Sequence, residues 1–360
     1  MKTEDKIEKL KEILKNYNKV ALAFSGGADS TMLAYLAKES GCDVLAITYV
    51  NQIFPNGFLE FAKRRCEEIG IKHEIIEDSF LDVDDFIQNT QKRCLLCRNI
   101  MYGAIKHKAN EEGYQIIIDG NNITDLIHDR PGILMKYKYN IESPFIEAKL
   151  ETAEIHKFLK DNDIEYSKST TCLATRIKTN EMVSFEKINR IDYGEEFIKK
   201  ISNCEVVKLR ENNNTATIEM DNINTILDED KIESIYSELK KLNYDKILLN
   251  IDLNKDNDDL IEDNELEKGK NLVLRKQLPF NLNIDETSKA IEKYLSENSK
   301  NESSIKDFET LEDIGYIKLK IDNKDSRIFR DGKISIENNK NREDAKDSLV
   351  KILPLIRRIV

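Results

Sequence analysis

The chain has 360 residues, of which 40% are hydrophobic and 34% are charged. This composition is typical of a globular protein with room for two or three domains. The formal net charge of −11 argues against broad nucleic-acid binding, which depends on many Lys and Arg contacts to phosphates. No apolar run reaches the roughly 18 residues that span a bilayer. We therefore expect a cytoplasmic protein with no membrane partner, in which the cysteines are thiols or metal ligands.

The N-terminal half alternates between helix and strand patterns. This alternation predicts an α/β fold, a doubly wound parallel sheet covered by helices. Ligands of such sheets bind beyond the carboxyl ends of the strands, where Ser25 and Asp119 are expected. The predicted helices are Asp5–Tyr17, Phe58–Ile69 and Tyr102–Glu112, and the predicted strands are Val20–Phe24, Asp43–Val50, Ile71–Glu77 and Gln115–Asp119.

A glycine turn between the first strand and the following helix predicts an anion site. Gly26 and Gly27 let the backbone approach an oxyanion, and unpaired N–H groups at the helix start point towards it. The hydroxyls of Ser25 and Ser30 add donors. Asp29 repels a bare phosphate, so its presence indicates a metal ion that accompanies the phosphates. An ordinary capped helix after a glycine turn is the alternative.

The pattern changes after about residue 183. We expect a small α+β domain and, after an acidic linker, another α+β unit of unknown role. The predicted boundaries are 1–179 for the first domain, 180–253 for the small domain, 254–270 for the linker and 271–360 for the last unit. The small domain is predicted to contain helices Glu186–Ile201 and Lys231–Leu242 and strands Glu205–Arg210, Thr215–Met220 and Lys246–Ile251.

Three of the six cysteines carry possible chemistry. Cys94 and Cys97 form a CxxC between two predicted helices, which fits a zinc half-site, a redox pair or chance. Cys172 lies four residues before Arg176, and a nearby cation lowers a thiol pKa. Three cysteines around one cleft would hold a cubane iron–sulfur cluster with one open iron. The others are expected to be small core residues: Cys42, Cys66 and Cys204.

Several motifs taken together resemble the LarE family of ATP-dependent sulfur transferases, within the PP-loop ATP pyrophosphatase superfamily. The resemblance runs from about residue 5 to residue 252, and the tail lies outside it. The matching stretches are Ser25–Ser30, Arg93–Cys97, Asp119–Asp125, Arg130–Gly132 and Cys172–Arg176.

The resemblance implies ATP-dependent adenylation of a carboxylate in a pyridinium biscarboxylate mononucleotide, followed by its conversion to a thiocarboxylate for a nickel-pincer cofactor. ATP and Mg²⁺ are implied as cofactors, a sulfide or sulfur donor as a partner, and a homo-oligomer as the assembly. In one branch of the family a cysteine at the Cys172 position gives up its own sulfur. In the other, three cysteines hold a 4Fe–4S cluster, and Cys94, Cys97 and Cys172 match that branch.

The resemblance also assigns site residues. The implied catalytic residues are Cys172, Asp29, Arg176 and Glu195. ATP or substrate phosphate is assigned to Ser25, Gly26, Gly27, Asp29, Ser30, Thr48, Gly120, Arg130, Lys208 and Arg210. Taken singly, each cation and Glu195 fits a surface charge or a structural ion pair equally well.

Other functions remain open from the sequence. Asn121, Thr175 and the turn Asn212–Asn214 depart from the family pattern, which leaves the substrate undecided. Iron–sulfur PP-loop enzymes that thiolate tRNA combine similar motifs, although they need a basic RNA surface. A protein that senses nucleotides through a relic ATP site is the non-enzymatic alternative.

Overall fold

The apolar runs of the N-terminal half form a four-stranded parallel sheet, which confirms the predicted α/β fold class. The computed structural model describes residues 2–168, 171–251, 259–268, 271–298, 304–311 and 314–359. In the order β3-β2-β1-β4, the central strand β1 is buried on both sides. The strands are β1 (Lys19–Ala23), β2 (Asp43–Val50), β3 (Lys72–Glu77) and β4 (Ile116–Ile118).

Helices cover both faces of this sheet, as a doubly wound arrangement requires. Val20 and Leu22 pack into one core with the first helices of the chain, whereas Ala21 packs on the opposite face against Tyr102 and Ile105. Alternate residues of a strand point to opposite faces, so one short strand serves both cores. The helices are α1 (Thr3–Tyr17), α2 (Ala28–Glu39), α3 (Phe58–Ile69), α4 (Asp84–Ile87), α5 (Arg93–Glu111), α6 (Met135–Tyr139), α7 (Pro144–Ala148) and α8 (Thr152–Asp161).

The CxxC lies within a helix rather than between two helices. The sequence predicted that the helix after the CxxC covers Tyr102–Glu112, but α5 already begins at Arg93. Cys94 and Cys97 therefore occupy its first turns. Leu and Arg are good helix formers, and the 3₁₀ turn Pro131–Leu134 packs against this end of α5. The prediction was wrong because this segment has no clear apolar stripe in its sequence.

A small three-stranded sheet follows, and its core joins that of the first sheet. β5 and β6 are antiparallel, and β7 runs parallel to β6. Leu209 and Ile218 share a core with Tyr49 and Phe80 of the N-terminal half. The elements are helices α9 (Phe185–Ser202) and α10 (Glu229–Lys241) and strands β5 (Val207–Asn212), β6 (Thr215–Met220) and β7 (Lys246–Leu249).

The C-terminal unit is a six-stranded antiparallel sheet with two helices. Its strand order is β10-β11-β12-β13-β9-β8. Its core also contains Ile123, Ile127 and Ile146, so this unit is packed onto the N-terminal half. The elements are β8 (Leu266–Lys268), β9 (Leu272–Gln277), α11 (Ile284–Glu297), β10 (Ile305–Leu311), β11 (Tyr316–Ile321), β12 (Lys324–Phe329), β13 (Lys333–Asn339) and α12 (Arg342–Ile352).

Part of the predicted acidic linker belongs to this C-terminal sheet. Leu260 and Ile261 are buried in its core, and β8 pairs with β9. Residues 254–258 and 269–270 of the predicted linker lie outside the described residues. The composition of the segment is acidic, but a few apolar side chains and a distant partner strand are enough to order it. Across the described ranges, no helix is long and apolar enough to cross a membrane.

The turn at Gly332 provides a test of the C-terminal unit. Gly332 has φ +88°, and a Cβ there would meet the carbonyl oxygens of Phe280 and Leu278. We expect Gly332→Ala to lower the free energy of unfolding by at least about 2 kcal/mol, because backbone strain adds to the steric clash. The control is Gly41→Ala, where φ is +80° but the space is open, so the loss is about 1 kcal/mol. Urea unfolding of both variants measures the difference, and equal losses would contradict the packing at Gly332.

Candidate functional site

The turn between β1 and α2 is braced by its own hydroxyls. The Ser30 hydroxyl donates to the Gly27 carbonyl oxygen at 3.2 Å, and the Ser25 amide donates to Ser30 Oγ at 3.3 Å. Gly26 has φ +71°, and a Cβ there would lie 3.0 Å from the Phe61 ring. The first amides of α2 have no carbonyl partner within the helix. The turn therefore presents N–H groups to an anion at the edge of the sheet.

Asp29 forms one side of this site and contacts the segment that follows β4. The Asn122 side-chain amide donates to Asp29 Oδ1 at 2.9 Å. A Cβ on Gly120 would lie only 2.8 Å from the Asp29 Cβ, so a glycine is required there. Burial, and then the charge of Asp125, raise the pKa of Asp29 to about 7. Two adjacent carboxylates beside a phosphate turn fit a Mg²⁺ ion that is also bound by substrate phosphates.

Asp125 and Arg130 extend the same site. The Asn122 backbone amide donates to Asp125 Oδ2 at 2.9 Å, and the Arg130 guanidinium pairs with Asp125 Oδ1. The Arg130 side chain is 57% exposed, so its remaining donors face the solvent side of the site. Asn122 and Asp125 were not among the predicted site residues. The sequence feature that could have identified these two residues is their position directly after a buried parallel strand.

Asp119 links the edge of the sheet that carries the phosphate turn to the helix that carries the CxxC. This buried carboxylate accepts hydrogen bonds from the Tyr102 hydroxyl and the Ser143 hydroxyl, both at 2.7 Å. Arg98, in the first part of α5, donates to the Tyr102 hydroxyl. Asn121 donates its backbone amide to Asp119 Oδ1 at 3.2 Å. Asn121, which departs from the family pattern, therefore holds this loop through its contact with Asp119.

Two side chains hold the Cys172 turn against the start of α5. Asn89 donates to the Lys178 carbonyl oxygen at 2.9 Å, and Arg93 Nη1 donates to the Ala174 carbonyl oxygen at 2.8 Å. Arg93 Nη2 also lies 3.6 Å from Cys94 Sγ. The 3₁₀ turn that follows Cys172 is thus brought beside the CxxC. Asn89 and Arg93 were not predicted as site residues, because these contacts join segments that are distant in sequence.

The three thiols lie in one neighbourhood but differ in exposure. Cys94 is exposed, whereas Cys97 and Cys172 are partly buried. Burial raises the pKa of Cys97 to about 12, and the neighbouring Cys172 contributes to this rise. Among the described residues, no group of three His, Cys, Asp or Glu side chains is arranged to hold a metal ion. Thiolates are the side-chain ligands that iron–sulfur clusters take in proteins.

Arg176 lowers the pKa of the Cys172 thiol, but other groups act on that pKa more strongly. Burial raises the pKa of the Cys172 thiol, and Arg93 opposes this more than Arg176 does. Arg176 forms an ion pair with Glu195, with 2.6 Å between Nε and Oε1, and the two side chains are 0% and 3% exposed. Glu195 also accepts from the Leu209 amide at 2.8 Å. Arg176 and Glu195, which were both predicted as catalytic residues, therefore pair with each other in the interior.

The remaining predicted site residues lie on strands β2 and β5. Lys208 and Arg210 lie on one face of β5, as predicted, because they alternate with buried residues. Arg210 contacts Glu219 at 3.0 Å. Thr48 is fully buried, and its hydroxyl donates to the Phe24 carbonyl oxygen at 3.0 Å. This hydrogen bond holds the start of the phosphate turn. The structural predictions for the other three cysteines are confirmed, since all are buried: Cys42, Cys66 and Cys204.

Comparison with known proteins identifies the first part of the chain. Residues 1–140 match the model of the PP-loop domain family. An uncharacterised protein of Methanocaldococcus jannaschii is 29% identical over 248 residues, covering 68% of this chain and 93% of that protein. Pyridinium-3,5-bisthiocarboxylic acid mononucleotide synthase of Lactiplantibacillus plantarum is 23% identical, covering 58% of this chain and 76% of that protein.

A solved structure is also similar in outline. The U34-tRNA thiolase of Methanococcus maripaludis with its 4Fe-4S cluster matches with a TM-score of 0.39 and 18% identity, covering 68% of this chain and 80% of that chain. By sequence, residues 1–140 match a PP-loop domain, and the chain is distantly similar to pyridinium-3,5-bisthiocarboxylic acid mononucleotide synthase.

The raised pKa of Asp29 predicts a pH-dependent stability. The folded protein binds the Asp29 proton more tightly than the unfolded chain does, so this group lowers the free energy of unfolding as pH rises from about 4 to about 7. Without nucleotide, Asp29→Asn should be more stable than the unmodified protein at pH 8, by on the order of 2 kcal/mol. The difference should nearly vanish at pH 4.

Chemical unfolding at both pH values measures this difference. The control is Asp161→Asn, which removes a carboxylate that is 54% exposed and paired with Lys157. It should show no comparable gain at pH 8. If Asp29→Asn were less stable than the unmodified protein at pH 8, the inference that Asp29 and Asp125 repel each other would be contradicted.

Proposed function

We propose that this protein is an ATP-dependent sulfur transferase that acts on a carboxylate of pyridinium biscarboxylate mononucleotide, in the formation of a nickel-pincer cofactor. One observation carries the proposal. A PP-loop phosphate turn, with Asp29 next to Asp125, is connected through Asp119, Tyr102 and Arg98 to the helix that carries the CxxC. An ATP site and a cluster of thiols thus belong to one connected structure.

The first half-reaction removes the negative charge that protects a carboxylate from nucleophiles. A carboxylate oxygen attacks the α-phosphorus of ATP, and the bond from that phosphorus to the bridging oxygen of pyrophosphate breaks. Pyrophosphate leaves towards the amides of the turn Ser25–Ser30. Asp29 and Asp125 would hold Mg²⁺, which offsets the charge of the phosphates. The acyl-adenylate that results has AMP as a good leaving group.

The second half-reaction replaces AMP by sulfur. A sulfur nucleophile attacks the acyl carbon, and AMP leaves with the former carboxylate oxygen. If the nucleophile is Cys172, a thioester forms, and loss of the Cα proton then breaks the Cβ–S bond to give a thiocarboxylate and dehydroalanine. A 4Fe–4S cluster held by Cys94, Cys97 and Cys172 would instead supply sulfide, and we propose this second source because the chain has all three thiols.

The buried ion pair has a positioning role in this proposal. Arg176 follows Cys172 in the same turn, and its Nη1 donates to the Thr171 hydroxyl at 2.6 Å. The pair with Glu195 fixes this turn to α9 and β5. Phosphate of the mononucleotide is left to the more exposed cations, Arg130 and Lys208. Guanidinium groups suit phosphate because they donate in a bidentate manner.

Two observations favour a small substrate over tRNA. The net charge is −11, whereas a tRNA-binding surface needs many cations. The match to the mononucleotide synthase spans 76% of that enzyme, so it includes more than the ATP-binding domain. A match to a tRNA-specific 2-thiouridylase of Caldanaerobacter subterraneus spans 39% of that enzyme.

An anaerobic assay tests the proposal. The protein is incubated with ATP, Mg²⁺, sulfide and pyridinium biscarboxylate mononucleotide, and AMP, pyrophosphate and thiocarboxylate are measured by mass spectrometry. We expect Cys172→Ser to keep pyrophosphate release but to lose at least 90% of the thiocarboxylate. The matched control Cys204→Ser, at a buried cysteine, should keep both. Thiocarboxylate formation by Cys172→Ser, or turnover with unmodified tRNA alone, would contradict the proposal.

The same samples distinguish the sulfur source. Roughly four irons per chain with acid-labile sulfide, lost in Cys94→Ala, would support the cluster. An iron-free protein that loses the sulfur of Cys172 after one turnover would overturn the cluster and support the sacrificial route.

A further inference from the structure

The C-terminal unit is packed against the segment that carries part of the ATP site. Ile123 and Ile127 lie in its hydrophobic core together with Leu353. These two isoleucines flank Asp125, the carboxylate that acts electrostatically on Asp29. The short 3₁₀ turn Thr124–Ile127 also contacts the 3₁₀ turn at the end of the chain. One wall of the ATP site is therefore covered by a unit that lies outside the matched PP-loop domain.

Arg358 makes a charged contact across this interface. Its Nη2 pairs with Asp129, and its guanidinium lies 4.3 Å from the centroid of the Phe280 ring. The Arg358 side chain is only 9% exposed. It lines a small cavity of about 20 Å³ together with Asp125, so its charge lies at the back of the ATP-site segment.

Burial of the Arg358 guanidinium costs free energy of folding. Arg358 Nε and Nη1 are buried, and they have no hydrogen-bond partner among the described residues. Unpaired buried donors are destabilising, so maximal stability alone does not account for an arginine at this position. A cation at this position does have an electrostatic reason, because it pairs with Asp129 and lines the same cavity as Asp125.

The backbone that carries Arg358 is firmly anchored in the C-terminal unit. Residue 358 forms an antiparallel bridge with Leu282, and the Asn283 amide donates to the Arg357 carbonyl oxygen at 2.8 Å. The Arg357 guanidinium lies 3.9 Å from the centroid of the Tyr137 ring. The terminal segment therefore connects the C-terminal sheet rigidly to the segment around Asp125–Tyr137.

We propose that the C-terminal unit is a structural part of the ATP site, and that Arg358 is a positioning residue that holds the segment 123–134. By holding this segment, Arg358 keeps Asp125 facing Asp29 and keeps Arg130 at the edge of the site. The inference rests on the ATP site of the proposed function but not on sulfur transfer. It gives the last part of the chain a role in nucleotide affinity.

The experiment compares Arg358→Ala and Arg358→Lys with a control at the same interface. Lys346→Ala removes an ion pair with Glu151 (2.8 Å) that also joins the two units, through a residue outside 123–134. All variants are made in the full chain. Three quantities are measured: Mg²⁺–ATP affinity by calorimetry, the melting temperature, and amide hydrogen exchange of residues 123–134 without nucleotide.

We expect Arg358→Ala to weaken Mg²⁺–ATP binding about tenfold and to speed exchange in residues 123–134. Arg358→Lys, which keeps the charge beside Asp129, should recover part of both losses. Lys346→Ala should change ATP affinity less than about twofold at a similar loss in melting temperature, since the contact between Arg358 and Asp129 remains.

Three outcomes would overturn the inference. Unchanged ATP affinity in Arg358→Ala would show that Arg358 does not affect nucleotide binding. Unchanged hydrogen exchange in residues 123–134 would show that Arg358 does not hold this segment. Equal affinity losses in Arg358→Ala and Lys346→Ala make the effect one of general stability. Failure of the unmodified protein to bind ATP, with exchange still raised in Arg358→Ala, would refute the proposed function separately.

Discussion

The close approach of Asp29 to Asp125 is the constraint on which the site depends. Two carboxylates at the edge of a parallel sheet repel each other, and burial makes their repulsion more costly. The protein keeps them together with Asn122, which donates to both. It also requires Gly120, because a side chain there would clash with Asp29. Such an arrangement is favourable when a divalent cation and a polyphosphate share the site.

The rest of the molecule is arranged around this edge of the sheet. On one side, Asp119 and Tyr102 connect it to α5 and hence to the CxxC. The Cys172 turn is fixed to the same helix through Arg93. On the other side, the C-terminal unit covers Ile123 and Ile127. The phosphate turn, the three thiols and the appended unit are thus joined by one continuous set of contacts.

The fold was predictable where burial leaves a periodic pattern. Buried parallel strands are apolar along their length, so β1 and β2 were found with almost correct bounds. The glycine turn after β1 was readable because few residue types allow a backbone to approach an anion. By contrast, β8 was missed within an acidic segment, because its strand pairing is set by β9 and not by its own composition.

The site was only partly predictable. Residue type shows what a side chain can do, but not which partner it meets. Arg176 and Glu195 have the chemistry to bind a substrate, yet each neutralises the other in the interior. Thr48 has a hydroxyl that suits a nucleotide, yet the Phe24 carbonyl oxygen accepts its proton. Asn122 was within a quoted motif, but only the structure shows that it contacts Asp29.

The central claim is that a substrate carboxylate is adenylated. Pyridinium biscarboxylate mononucleotide labelled with ¹⁸O in its carboxylates tests it most directly. If a carboxylate oxygen attacks the α-phosphorus, sulfur transfer leaves that oxygen on the nucleotide, and mass spectrometry should find ¹⁸O in the AMP. AMP that contains no ¹⁸O after thiocarboxylate has formed would show that the carboxylate was not activated in this way, and would contradict the account.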